Sequence, residues 1–165
     1  MRVLGVDCGS TATGVAVIES DGRRHSVLHY GAIRPARSRP FAARLHRIHQ
    51  EVEELVARFQ PHTLALEQVF QAYNVKSALQ LSQVRGVVLL AAEHARLPVS
   101  EYSALTVKSS VVGYGRAGKH QVQRMVQRLL ALPILPQPED ASDALAVALC
   151  HIHIETTRRR QASYP

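Results

Sequence analysis

A chain of 165 residues has the length for one domain with its own core and is cramped for two. A hydrophobic fraction of 46% excludes a disordered chain, and with 5% aromatics and no Trp the core falls to Leu, Val, Ile and Ala. With 20 Lys and Arg against 13 Asp and Glu, the net charge of +7 favours a polyanion as partner, either nucleic acid or an anionic membrane.

Nucleic acid is the better of the two. No apolar run is long enough to span a bilayer, and the opening Met1 to Asp7 turns polar too early for a signal peptide. Cys8 and Cys150 form neither a CxxC nor a disulfide framework, so a reducing cytoplasm is the expected setting.

In chain order, Arg2–Asp7 reads as a short buried strand and Gly9-Ser10-Thr11 as a turn. Thr13–Glu19 alternates as a second strand, Asp21-Gly22 signals a hairpin, and His25–Ile33 is a third strand. Phe41–Phe59 carries Leu45, Ile48, Val52, Leu55 and Val56 at helical spacing, and Pro61 closes it. Thr63–Glu67 is an apolar run expected in a sheet covered on both faces. Asn74 is placed to cap a helix running to Ala95, whose Val84–Ala92 half is apolar nearly all round and is expected to be buried either in the core or in a subunit interface, for which it is the candidate. Pro98–Tyr102 is a last strand, and Ser103 caps a short helix through Lys108 and Val111. Gly113 to Gly118 reads as a flexible loop, and Lys119–Leu130 is helical again. After Pro133, Pro136 and Pro138, Asp140–Glu155 forms the final helix, followed by a basic, flexible tail over 158–165. The sum is a single α/β domain over 1–157: a mixed five-stranded sheet with helices on both faces.

Acidic residues fall at informative places in this frame. Asp7 and Glu67 each end an apolar strand, where sites form in open α/β sheets. Asp140 and Asp143 lie three apart at the start of an apolar helix and so share a face. Each alone fits a turn, a surface position or a helix-dipole role. Gathered together, they repel one another and call for a cation. Carboxylates without His or Cys point to Mg²⁺, with Mn²⁺ as the alternative. Two such ions suit hydrolysis of a phosphodiester by water, one ion at the nucleophile and one at the leaving oxygen.

Basic residues complement them. No Asp or Glu occurs between Tyr102 and Pro138, a stretch holding Lys108, Arg116, Lys119, Arg124 and Arg128; a second acid-free stretch runs from Gly22 to Gln50. Such stretches suit phosphate contacts, and the glycine loop is expected to swing Lys108 or Lys119 towards a scissile phosphate.

Taken in order, several motifs resemble the bacterial RuvC family. They are Gly5-Val6-Asp7-Cys8-Gly9-Ser10 with Thr13-Gly14, Glu67-Gln68-Val69-Phe70, Gln83-Val84-Arg85-Gly86, Val107-Lys108 with Val111-Val112-Gly113, Lys119-His120-Gln121-Val122-Gln123, and Asp140-Ala141-Ser142-Asp143-Ala144-Leu145-Ala146. The resemblance implies an RNase H-like fold and a homodimer that resolves four-way (Holliday) DNA junctions by paired nicks in recombination and repair, working with the RuvA–RuvB branch-migration complex. It implies Asp7, Glu67, Asp140 and Asp143 as catalytic and metal-binding acids, two Mg²⁺ per site, and Lys119 as a catalytic lysine. Its DNA-contacting set is Phe70, Tyr73, Lys76, Arg85, Lys108, Arg116, Lys119 and Arg124, with Phe70 stacking on a base near the crossover. Cys8 stands where the family has proline, which places a thiol beside the site as a point of oxidation. Tyr73 stands where relatives are often basic, and His120 reads as a solvated helix-start residue.

Other functions remain in view at this stage. Asp7-Cys8-Gly9-Ser10-Thr11 also resembles the first phosphate loop of the actin and sugar-kinase ATPases, but those enclose ATP with a second such domain, for which this chain is too short. A nuclease of the same fold acting on structured RNA is a further reading, as is a junction-binding protein that has lost cleavage.

Overall fold

A computed structural model describes residues 1–9, 11–68 and 74–163. Its elements are β1 (Arg2–Asp7), β2 (Thr13–Ser20), β3 (His25–Ile33), α1 (Phe41–Phe59), β4 (Thr63–Glu67), α2 (Val75–His94), β5 (Val99–Tyr102), α3 (Ala104–Val112), α4 (Lys119–Leu129) and α5 (Glu139–Ala162). The strands form one sheet in the order β3-β2-β1-β4-β5. β1 and β2 pair antiparallel, as do β2 and β3, whereas β4 runs parallel to both β1 and β5. This is the mixed five-stranded sheet the sequence predicts, with the RNase H-like arrangement.

Alternation along β1 and β4 divides the core. Leu4, Val6, Leu64 and Leu66 face one side and pack with Ile48, Val52, Val84 and Val88 of α1 and α2. Val3 and Ala65 face the other and pack with α3, α4 and α5. On that second side α5 lies almost against the sheet. A Cβ on Gly5 would stand 2.3 Å from the Ala144 carbonyl oxygen, and one on Gly14 would stand 1.8 Å from that of Asp140. No side chain fits there, so the two glycines set how closely the helix approaches. Small residues answer them on α5, where Ala141, Ala144, Ala146 and Ala148 are all buried.

Local chemistry explains the element ends. Asn74 accepts a hydrogen bond from the Ser77 amide at the start of α2, and Ser103 accepts one from Thr106 at the start of α3. The β2–β3 hairpin turns at Asp21, whose Oδ1 accepts from the Arg23 and Arg24 amides, and at Gly22 with φ of +92°.

Four expectations are corrected. The chain after Arg158 is not a tail at its outset: α5 continues as helix to Ala162, with Arg158 paired to Glu155 and Arg159 and Arg160 complementing the helix C-terminus. From Ala141 to Ile152 α5 is also buried at every position but Asp143 rather than along one face, because α3 and α4 cover the side turned from the sheet. The loop from Gly113 to Gly118 does not swing the lysines: Lys108 lies within α3, Lys119 opens α4, and Gly115 is packed on Leu105. Finally, Val84, Val88, Ala91 and Ala92 are buried within the chain, so of the two settings expected for this run the core is the observed one and the candidate interface is not. The exposed apolar residues of α2 are Val75, Leu79 and Leu90, spaced along one helix face with Gly86.

Among the described residues, no helix is long and apolar enough to cross a membrane.

Candidate active site

The register brings two acids together. Val6 pairs with Leu66 across the parallel β1–β4 ladder, so Asp7 and Glu67 end neighbouring strands at the same level. By alternation both turn to the α5 side of the sheet. Asp7 is also the partner of Gly14, whose missing side chain admits the Asp140 carbonyl. The first turn of α5 is therefore seated beside Asp7, and Asp143 follows one turn on.

Asp7, Glu67 and Asp143 line a single cavity of about 250 Å³ with Lys108 and Lys119, floored by Val107, Val122 and Ala146. Asp140 is not among the residues that line it; its Oδ2 accepts from Arg34 at 2.9 Å. Lys119 Nζ lies 3.6 Å from Asp143 Oδ2. Arg34 was not among the predicted site residues. It directly follows β3, which runs parallel to β1 and so ends at the same sheet edge; strand order was the missing information.

Crowding of like charge raises the proton affinity of these acids. Burial, then the charges of Glu67, Asp143 and Asp140, push Asp7 up from 3.8 to about 8, with Lys119 opposing. Glu67 is raised by burial and by Asp143, and Asp143 by burial against the pull of Lys119. No three of the four acids bring an oxygen each within 4.8 Å of one another among the described residues. In that spread Asp140 is paired with Arg34 and Asp143 with Lys119. The donors fit hard divalent cations: they are carboxylate oxygens, no His or Cys lines the cavity, and their mutual repulsion is what such an ion relieves.

The remaining predicted residues divide. Lys108 lines the cavity, while Lys76, Arg116 and Arg124 are exposed. Phe70 and Tyr73 lie outside the described residues. His120 is exposed at the start of α4 and lines a neighbouring cavity with Lys119, Glu139 and Asp143. The Arg85 side chain is 18% exposed, and its guanidinium lies 2.6 Å from Glu101 Oε2 and donates to the Glu67 carbonyl oxygen at 3.1 Å. These contacts hold the end of β4. Cys8 is corrected. The thiol is buried, and burial with the nearby Asp7 charge pushes it up to about 12, so the reactive thiolate is suppressed.

Comparison with known proteins agrees with this geometry. The family described as crossover junction endodeoxyribonuclease RuvC matches residues 3–151. A protein of that name from Geobacter metallireducens is 53% identical over 151 residues, covering 92% of each chain. The solved structure of Thermus thermophilus RuvC superposes with a TM-score of 0.89 at 34% identity, over 96% of this chain and 97% of that one. The same enzyme in complex with a Holliday junction substrate gives a TM-score of 0.91 at 34% identity, over 96% of each chain.

Proposed function

The chain belongs to the RuvC family of crossover junction endodeoxyribonucleases, and from that premise we propose that it resolves four-way DNA junctions by hydrolysing phosphodiesters at the cleft of Asp7, Glu67, Asp140 and Asp143. The observation that carries this reading is the convergence of strand-end and helix-start acids on one cavity, where burial and then mutual repulsion raise Asp7 to about 8.

Mg²⁺, or Mn²⁺ in its place, would be held by these four acids as two ions, supplying Lewis acidity to activate water and to balance the leaving oxygen. The protein's part is placement. Asp7 and Glu67 project from paired strands, and Asp140 and Asp143 from a helix turn locked by Gly14, so the backbone that carries the four carboxylates is set before substrate arrives. Arg34 and Lys119 hold Asp140 and Asp143 and must shift as ions and phosphate enter. Lys119 Nζ, freed from Asp143, is placed to stabilise charge on the phosphoryl oxygens. Lys76, Lys108, Arg116 and Arg124 contact the DNA backbone, and Phe70 stacks on a base at the crossover.

Paired nicks need two sites related by a twofold axis, which a homodimer provides. The exposed Val75, Leu79 and Leu90 row of α2 is the face for it. Family membership supports the RuvA–RuvB complex as partner, in recombination and repair, with the cytoplasm as the proposed setting. The test is cleavage of a four-way DNA junction, duplex DNA and structured RNA with Mg²⁺, Mn²⁺ or EDTA. Symmetric nicks in the junction that EDTA abolishes are expected; cleavage of RNA with the junction left intact overturns the reading.

A further inference from the structure

At the other end of α2 lies a second group of ligating side chains that the cleavage reaction does not use. His49 and Glu53 are one helical turn apart on α1, and His94 closes α2. The cluster is remote from the acids: α2 begins after the Glu67 end of β4 and runs 20 residues before reaching His94, about 30 Å of helix.

Glu53 stands between the two rings. Its Oε2 is 3.2 Å from His49 Nδ1 and its Oε1 is 3.5 Å from His94 Nδ1. One ligand atom from each of the three residues lies within 4.8 Å of the others. The imidazoles meet edge to face, with centroids 5.5 Å apart. Both Glu–His separations exceed the 2.7–2.9 Å of a good charge-assisted hydrogen bond. They match ligand spacing around zinc, where bonds of about 2.0–2.2 Å at tetrahedral angles put neighbouring donors about 3.4 Å apart. The third edge closes by rotation of His94, whose side chain is 55% exposed. His49 is the anchored member: its side chain is 18% exposed, and Nε2 is shielded from solvent without a hydrogen-bond partner among the described residues, so Nδ1 is the atom turned to Glu53.

We propose that His49, Glu53 and His94 form a surface site for a borderline transition cation of the Zn²⁺ class, which bridges α1 and α2. Two imidazoles and one carboxylate are the donor set that selects such ions over Mg²⁺, and a water completes four-coordination. The bound ion ties together the two helices that cover one face of the sheet. The site binds and braces; it takes no part in cleavage.

The test is calorimetric titration of the full-length protein with ZnCl₂ in buffer saturated with Mg²⁺, so that the carboxylate cleft is occupied. His94→Ala and His49→Ala are titrated alongside, and thermal melting of all three is followed with and without Zn²⁺. Expected are one equivalent of Zn²⁺ per chain in the wild type, a melting temperature raised by the ion, and at least tenfold weaker binding with no such rise in His94→Ala. Junction cleavage in Mg²⁺ stays unchanged in His94→Ala. His94 is exposed, so that variant should fold; its melting without zinc checks this, and Glu53→Gln is the second variant if it does not. Zinc binding that is equal in wild type and variants, or no binding and no rise in melting temperature, overturns the site and leaves an ion pair only.

Discussion

The molecule carries two clusters of ligating side chains, and they are built by opposite means. The acids at the carboxyl edge of the sheet project from backbone locked by strand pairing and by the glycine contacts of α5. They are partly buried, of one sign, and raised in proton affinity. The cluster of His49, Glu53 and His94 sits on helix surfaces, is mixed in sign, and is held by side-chain geometry. The first arrangement costs stability and fixes the backbone that carries the donors, as chemistry on a phosphodiester requires. The second tolerates movement, as a brace between helices can.

Breaking the rigid cluster should have the largest effect. Gly14→Ala places a methyl group into the Asp140 carbonyl, where only backbone movement makes room. Unfolding in urea should show a loss of about 3 kcal/mol, and junction cleavage should fall to background even where folded protein remains. Wild-type cleavage in this variant would mean that the α5 contact does not set the site.

Asp7→Asn removes charge without moving backbone. Cleavage should fall by at least about 10²-fold while junction binding by gel shift survives. The ion-free variant should also be more stable than wild type. The folded Asp7 holds its proton to about 8, against an ordinary 3.8. The native state therefore binds more protons than the unfolded chain between those values, and wild-type stability falls as pH rises through that window. Asn has no such dependence, so the gain should be larger at about pH 8 than at about pH 5. Equal gains at both would contradict the buried-charge account.

Smaller effects sharpen the comparison. Lys119→Ala should slow cleavage about tenfold or more while leaving junction affinity within a few-fold, if Nζ acts on the transition state. Loss of affinity alone would move Lys119 into the DNA track. Arg85→Ala should cost about 1 kcal/mol, discounted because Glu101 remains partly in water, and should slow cleavage about tenfold with little change in junction binding. A binding loss equal to the cleavage loss would place Arg85 in the DNA-contacting set.

Much of this was legible in the sequence because strand ends, caps and turns announce themselves. Asp7 and Glu67 end apolar runs, Asn74 and Ser103 cap helices as read, and Asp21-Gly22 makes the hairpin turn. What escaped depends on pairing distant in the chain. Arg34 reaches Asp140 only because β3 ends at the same edge as β1, and Arg85 serves Glu67 only because β5 brings Glu101 alongside β4. Charge density marked Arg34 and the family motif marked Arg85, and neither gave a sign of these pairings. The Val84–Ala92 run misled for a related reason: apolar content marks burial but does not say whether a partner lies within the chain or outside it.

The central claim is that four acids from two strands and one helix hold divalent ions together. Anomalous diffraction from crystals soaked in Mn²⁺ tests it most directly. Two manganese peaks are expected among Asp7, Glu67, Asp140 and Asp143, at about 2.1 Å from their oxygens, and both should weaken or vanish in Asp7→Asn. Peaks only elsewhere on the protein, or unchanged peaks after the substitution, would contradict it.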